Sequence, residues 1–545
     1  MSSRTASRGV AVAAAAAAVL AGWWRFRLPP CDDAFIVLTA VRNALAGAGA
    51  HLVPAHGDAV LSTLLWPLLV GLGAGIGLDP VVALRAAGVL GELFLALAVV
   101  GLGRDLARTE PDGESGPAGR SEVWGWTVGA LTATALVTHP VLVLVDRGGM
   151  ETAWVMAVLA AATLALSRRR IGWVAACVAL LPWLRFDAAL AAAVFGFAAL
   201  RVAGRRDRLR LVAAAVAAAG AFLAERLLFG VWLPDSVTAK VAAGAASSSG
   251  AAAVATGFAA ATIGRAAYWL IRPSVHLVLW LPAWAGVVRI AREPALRRRL
   301  APLVVWTVAY VGAFAGSGNA YATNFPWYFA PPLLTLTALA AAGLGLLPAA
   351  WRRLRPRAER SPAAAEEPGA GPRRGLAAAA PALAALAVWL AASPGLEAGL
   401  ARVRGSFTAY RERSYAAVAT WLAAYGPARS IASNEVGTLA WFSPADTEIV
   451  DLVGLSRAPA DRGRGWEELV AERPPDAIVT RIDFRYRRRL EATAPGSRVW
   501  VRAGALDVGL TPELAQRLAP RRGELEAIYR AVDLERAPSP ARRPG

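Results

Sequence analysis

Twelve apolar runs punctuate the chain, near 10–24, 59–78, 81–103, 124–145, 152–166, 171–184, 188–202, 209–229, 275–291, 301–317, 328–349 and 375–393. Runs of this kind read as membrane helices, which need about 20 apolar residues each. Basic or long polar connectors separate them at 104–122, 168–170, 205–210, 292–299 and 352–374. The positive-inside rule places all five connectors in the cytoplasm. With the N-terminus inside, that holds only if 59–78 does not cross. The stretch is therefore expected to be a juxtamembrane or re-entrant helix, and Gly71, Gly73, Gly75 and Gly77 weaken it as a helix. This predicts about eleven spans, with a first outer loop at 25–80 and everything after about Ser393 outside the cell membrane.

The pattern changes after residue 395. Residues 400–545 contain an amphipathic helix near Tyr410–Ala424 and short strand-like segments near Ser430, Glu448–Leu452 and Asp476–Thr480. That mixture predicts an extracytoplasmic α/β domain over 396–536, following a transmembrane domain over 1–395. The stretch 242–261, rich in Ala, Gly and Ser, reads as an outer loop or interfacial helix. The segment 352–374 and the tail 537–545 read as disordered. The first run, Val10–Trp24, has no clean cleavage site after it, and Trp23, Trp24, Arg25 and Arg27 suit an interfacial anchor, so it reads as a retained span.

Composition agrees with a membrane class. Of 545 residues, 56% are hydrophobic and only 18% charged, and mean hydropathy is +0.44. The net charge of +19 comes from arginine clusters between apolar runs, so it reads as a topology signal and not as a nucleic-acid surface. Cys31 and Cys177 lie in separate segments and imply neither a disulfide framework nor a metal cluster.

The chemistry-bearing residues gather in the predicted outer segments. Asp32 and Asp33 follow the first apolar run directly, where ionised groups are costly unless they do something. One of them suits a general base, with the other orienting it; capping of the helix that follows is the plain alternative. No cofactor is required by the residues, and a divalent cation at the doublet is left open. Glu151 opens a span, where an acid also complements the helix dipole. Arg185 and Asp187 suit either a mutual salt bridge or a clamp on a lipid phosphate. Lys240 is the only lysine in the chain and suits a point contact to phosphate. Asn319, Tyr321, Asn324, Trp327 and Tyr328 form a polar and aromatic group that suits sugar recognition or a membrane belt. The histidines His51, His56, His139 and His276 have no metal-ligand spacing, and no nucleotide-binding loop is present.

These segments resemble, in order, the motifs of polytopic GT-C glycosyltransferases, and most closely the actinobacterial terminal arabinofuranosyltransferase group. The resemblance is carried by Asp32–Ile36 with Arg42-Asn43 and the glycine turn at 47–49. It continues through Gly149-Met150-Glu151-Thr152, Leu184–Asp187, Leu233-Pro234-Asp235-Ser236 with Lys240, Asn434-Glu435-Val436-Gly437 and Asp451–Leu455. Phe186 stands where that group tends to have proline, and Pro54–Val60 lacks its aromatic Glu-Gly-Tyr-Thr pattern. The resemblance implies a polyprenyl-phosphate sugar donor, a cell-envelope glycan or lipid acceptor, and inverting transfer at the outer face with Asp33 or Asp32 as base. Arg42, Asn43, Glu151, Arg185, Asp187 and Lys240, which lie in these motifs, are expected to bind substrate, as are Asn324, Trp327 and Tyr328 of the polar and aromatic group. The competing expectations are a flippase for a lipid-linked precursor and a glycan-binding scaffold without catalysis.

Overall fold

In the computed structural model, residues 3–54, 57–108, 118–236, 238, 280–316, 328–348, 379–394, 397, 409–454, 456, 461, 464–481, 498–503, 506–521 and 523–524 are described. The chain divides into two compact units. The first comprises Met1–Arg27, Ala86–Ala221 and Gly244–Gly399; the second comprises Leu28–Arg85, Phe222–Ala243 and Leu400–Gly545.

Helices occupy all twelve apolar runs. In chain order the first ten α-helices among the described residues are α1 (Ser3–Arg25), α2 (Asp32–Leu45), α3 (Leu65–Gly75), α4 (Pro80–Ala107), α5 (Ala118–Val137), α6 (Pro140–Arg147), α7 (Thr152–Ser167), α8 (Ile171–Leu184), α9 (Ala189–Leu200) and α10 (Arg205–Phe229). Later helices include Trp280–Arg292, Pro294–Gly316, Pro332–Leu344 and Ala379–Pro394. Among the described residues, three helices are long and apolar enough to cross a membrane, namely Thr5–Arg25, Pro80–Ala107 and Arg205–Phe229. A bent pair, Ser121–Val137 with Pro140–Arg147, makes a fourth. Eleven spans are expected from the sequence; six further apolar helices among the described residues have only 10–17 residues, and the 23-residue helix Pro294–Gly316 opens with Arg297, Arg298 and Arg299. The α3 helix has 11 residues, or about 16 Å, roughly half of a ~30 Å hydrocarbon core.

The 60° bend in the pair has a local cause. Pro140 pushes His139 out of the helical region, to φ −67°, ψ 127°, and the His139 ring then accepts from Val141 N at 3.3 Å to restart the helix. Within the first unit, helices approach closely where side chains are absent. A Cβ on Gly129 would overlap Val100 O, one on Gly286 would overlap Leu339 O, and one on Gly343 would overlap Pro282 O. Dispersion is a main attraction between apolar helices in lipid, and small residues let backbones reach it. Polar side chains in these helices are satisfied locally: Thr132, Thr138 and Thr163 each donate to the carbonyl four residues back.

The second unit contains α2, α3 and a five-stranded mixed sheet. Its strands are β1 (Ser430–Ser433), β2 (Glu448–Asp451), β3 (Ala477–Arg481), β4 (Val499–Ala503) and β5 (Leu506–Leu510), in the order β2-β1-β3-β5-β4. β1 is parallel to β2 and β3, with Ala432 opposite Val450 and Ile478. β5 is antiparallel to β3 and β4. The parallel strands need crossovers, supplied by the Val436–Phe442 and Trp466–Glu472 helices. Ala432, Val450, Leu452, Trp466, Val470 and Ile478 form the core under this sheet, with Trp500 packed against it. Opposite Trp500 stands Gly509, where a Cβ would press on the indole. The first three strands and the helix Ala409–Tyr425 fall at the segments where strands and a helix are expected from the sequence.

Candidate functional site

In the second unit, the aspartate doublet opens α2, and Asp32 does not cap its own helix. Cys31 is the N-cap, without a side-chain capping bond. The Asp32 carboxylate instead accepts from Gly437 N at 3.2 Å, Thr438 N at 2.8 Å and Thr438 Oγ1 at 2.9 Å. These are the second and third amides of the Val436–Phe442 helix, whose own N-cap, Glu435, makes no side-chain cap bond. Asp32 therefore does for a helix 405 residues away what a capping residue does for its own, satisfying orphan amides and opposing the positive end of the helix dipole.

Ten residues on, Arg42 closes the other end. Its NH1 donates to Trp441 O at 2.8 Å and its NH2 to Ala440 O at 3.1 Å, with the guanidinium 5.1 Å from the Trp441 ring centroid. An anion at the N-terminus and a cation at the C-terminus bracket one short helix. Gly437 is what lets α2 come this near: a Cβ there would overlap the Asp32 carbonyl oxygen. Asp33, next to the buried Asp32, is half-buried.

The loop after α2 is fastened from within the same unit. Asn43 donates from Nδ2 to His51 O at 2.9 Å. The buried Asp58 carboxylate accepts from Leu52 N at 3.0 Å and Val53 N at 2.9 Å. Burial pushes the Asp58 carboxyl above its ordinary value, against the pull of those two amides. Asp235 exchanges two bonds with Ala59, Asp235 N donating to its carbonyl at 2.9 Å and Oδ2 accepting its amide at 3.1 Å.

In the first unit, Glu151, Arg185 and Asp187 come together. Arg185 leaves the helical region at φ −158°, ψ 135°, which ends α8 and points its backbone into the short 3-10 turn Phe186–Ala188. Its guanidinium grips Asp187 with two parallel bonds, at 2.9 and 2.6 Å, and lies 3.5 Å from Glu151 Oε1. The mutual salt bridge is thus the arrangement seen, with a second acid added. Glu151 stands at the N-cap of α7 without a capping bond. Tyr310 is buried beside this group, its hydroxyl without a hydrogen-bond partner among the described residues. Phe314 links Tyr310 to Tyr328 with ring centroids 4.7 Å apart on either side. Lys240, Asn324 and Trp327, with Asn319, Tyr321, His56 and His276, lie outside the described residues.

A further cluster of the first unit was not foreseen. Glu92 on α4 and Asp146 and Arg147 at the end of α6 are fully or almost fully buried. Arg147 donates to Gly22 O, stacks between Trp23 and Phe26 at 5.7 Å from each ring, and lies 3.6 Å from Glu92 Oε1. Neither Glu92 oxygen, nor Asp146 Oδ2, has a hydrogen-bond partner among the described residues. The signal was a single glutamate inside the apolar run 81–103. Tyr310 has the same signature within 301–317. Among the described residues, no group of three or more His, Cys, Asp or Glu is placed to hold a metal ion.

Residues 404–524 match a family described as a domain of unknown function, DUF8728. No curated protein matches the chain. Among solved structures, the chain is similar to the crystal structure of ArnT from Cupriavidus metallidurans bound to undecaprenyl phosphate, at 16% identity and a TM-score of 0.49, over 92% of this chain and 98% of that one. It is also similar to the apo form of the same protein, at 17% identity and a TM-score of 0.49, over 94% and 99%.

Proposed function

We propose that the chain is a multi-pass membrane glycosyltransferase of the GT-C type. It moves a sugar from a polyprenyl-phosphate carrier to a hydroxyl of a cell-envelope glycan or lipid, by inverting transfer at the extracytoplasmic face. Arabinofuranose is the sugar to which the motif resemblance points. The observation that carries this reading is the pairing of motif segments far apart in sequence. The Asp32 segment binds Gly437 and Thr438, and the Glu151 segment binds Arg185. A chain that kept those segments for unrelated reasons would have no cause to bring them together.

Gly437 and Thr438 hold the Asp32 carboxylate with three hydrogen bonds, which favours Asp33 over Asp32 as the base that takes the acceptor proton. The phosphate leaving group needs cationic or hydrogen-bonding partners, and Lys240 is the candidate the sequence supplies. Membranes carrying the full chain, given labelled polyprenyl-phosphate sugars with and without chelator, should form a new glycosidic bond. Asp33→Asn should lower that rate by about 10²- to 10⁴-fold, the usual span for a lost general base, while folded protein persists. Full activity in Asp33→Asn would end the assignment to Asp33, and full activity in Asp32→Asn as well would remove the doublet from the reaction.

The flippase reading is favoured by one observation, the buried Glu92–Asp146–Arg147 cluster within apolar helices. Ionisable groups at such positions often mark a transport path. Translocation of a lipid-linked precursor into vesicles without a new glycosidic bond would select that reading.

A further inference from the structure

A groove of about 480 Å³ runs along the first unit between α4, α7 and α8. Its floor is made by Ala157, Ala161 and Ala165, which recur every fourth residue and so share one face of α7. Phe94, Trp154 and Trp173 form its walls, and Trp173 is 67% exposed. Trp154 is fixed by a bond from Nε1 to Ala87 O at 2.9 Å. The lining is apolar until the α7–α8 turn, where Arg168 and Arg170 close one end.

That end is built. Asp105 holds Arg168 with two bonds, Nε at 2.7 Å and NH2 at 3.1 Å. Arg169 adopts φ +55°, the one non-glycine residue with positive φ in the described backbone. Glycine would take this helix-ending position without strain; an arginine there costs about 1 kcal/mol of backbone preference. The strain is tolerated where the turn gathers three consecutive positive charges. The α7 helix has 16 residues, about 24 Å, so this basic end lies a full helix length from Glu151.

We propose that the groove binds one anionic glycerophospholipid, its phosphate on the Arg168–Arg170 turn and an acyl chain along the alanine floor. Asp105 already meets the charge of Arg168, so the anionic head is selected by Arg169 and Arg170. The positive-inside expectation for 168–170 puts that head in the cytoplasmic leaflet, where anionic glycerophospholipids collect and each nearby basic residue adds about 1 kcal/mol of attraction. The occupant is thus a bound structural lipid and not the sugar donor, and the proposal stands or falls independently of the transfer reaction.

The test is native mass spectrometry of the full chain in detergent, titrated with phosphatidylglycerol, phosphatidylcholine or a polyprenyl phosphate. The wild type should retain phosphatidylglycerol over phosphatidylcholine. Arg170→Gln should weaken that retention about fivefold. Arg169→Gly, which relieves the turn while removing a charge, should weaken it to a similar degree and leave the melting temperature unchanged or raised. Ala161→Trp, which fills the floor without altering charge, should abolish retention of both lipids. Equal retention of the two phospholipids, insensitivity to Arg170→Gln, or displacement of phosphatidylglycerol by equimolar polyprenyl phosphate would overturn the proposal.

Discussion

Asp32 in the second unit and Glu92 in the first are both buried carboxylates, and their surroundings are opposite. Asp32 is met by at least three donors, two of them backbone amides at the start of a helix. Neither Glu92 oxygen makes a well-formed hydrogen bond among the described residues; the Arg147 guanidinium stands 3.6 Å away, with Trp23 and another carboxyl, Asp146, beside it. A carboxylate with amides aimed at it is part of the architecture, and its removal exposes orphan donors. A carboxylate held only by a neighbouring charge depends on that charge remaining.

The sharpest way to break the comparison is to remove the charge. Arg147→Met keeps the volume and leaves Glu92 and Asp146 without their cation. Losing one partner of a buried ion pair costs about 3–5 kcal/mol, the largest loss expected for any variant here. Thermal unfolding in detergent reads it, and the double variant Arg147→Met/Glu92→Gln should recover part of it. No recovery would mean that Arg147 acts through its contacts with Gly22, Trp23 and Phe26 alone.

Next in size is the contact that makes the Asp32 arrangement reachable. Gly437→Val places a branched side chain against the backbone of α2, which cannot rotate away. The expected loss is about 3 kcal/mol, at the upper end for overpacking, read as a lower melting temperature and faster proteolysis. A variant that tolerated valine would show that α2 and the Val436–Phe442 helix separate in solution. Smaller again is Asp32→Ala, which strips the cap while sparing the close approach. About 2–3 kcal/mol should be lost, and Asp32→Asn, which keeps one acceptor oxygen, should lose less. Equal losses from alanine and asparagine would mean that charge, and not hydrogen bonding, holds the helix.

Much of this was legible before any coordinates, and the boundary of legibility has a physical shape. Helix positions follow from local apolar runs. The strands at Ser430, Glu448 and Ala477 carry short apolar stretches between polar residues, whereas β4 and β5 are broken by Arg502, Asp507 and Gly509 and offer no such stretch beyond Val499, Trp500 and Val501. The Asp32-Asp33 doublet stood out because charge is unusual beside an apolar run. What Asp32 binds was not legible, since its partners are more than 400 residues away and a backbone amide leaves no mark in a sequence. Capping by Asp32 was the plain alternative, but the natural guess was its own helix. Glu92 was visible as a lone acid and went unread because one acid inside a span has no spacing to interpret.

Asp58 falls between the two extremes and gives the smallest and most discriminating test. Two amides reach its carboxylate, as for Asp32, yet burial outweighs them and its pKa is raised above 3.8. A carboxyl whose folded pKa exceeds its unfolded one binds its proton more tightly in the native state, so stability falls as pH rises from 3.8 through the raised value and then levels off. The usual carboxylate, stabilised as an anion, has the reverse slope. Asp58→Asn imitates the neutral acid and removes the titration. The variant should therefore melt above the wild type at neutral pH, with the gain shrinking toward zero as pH approaches 3.8. Melting temperatures of both proteins across about pH 4 to pH 7 measure that difference directly. If the two amides govern instead, asparagine will melt below aspartate at neutral pH, and the order of the three acids will follow donor count alone.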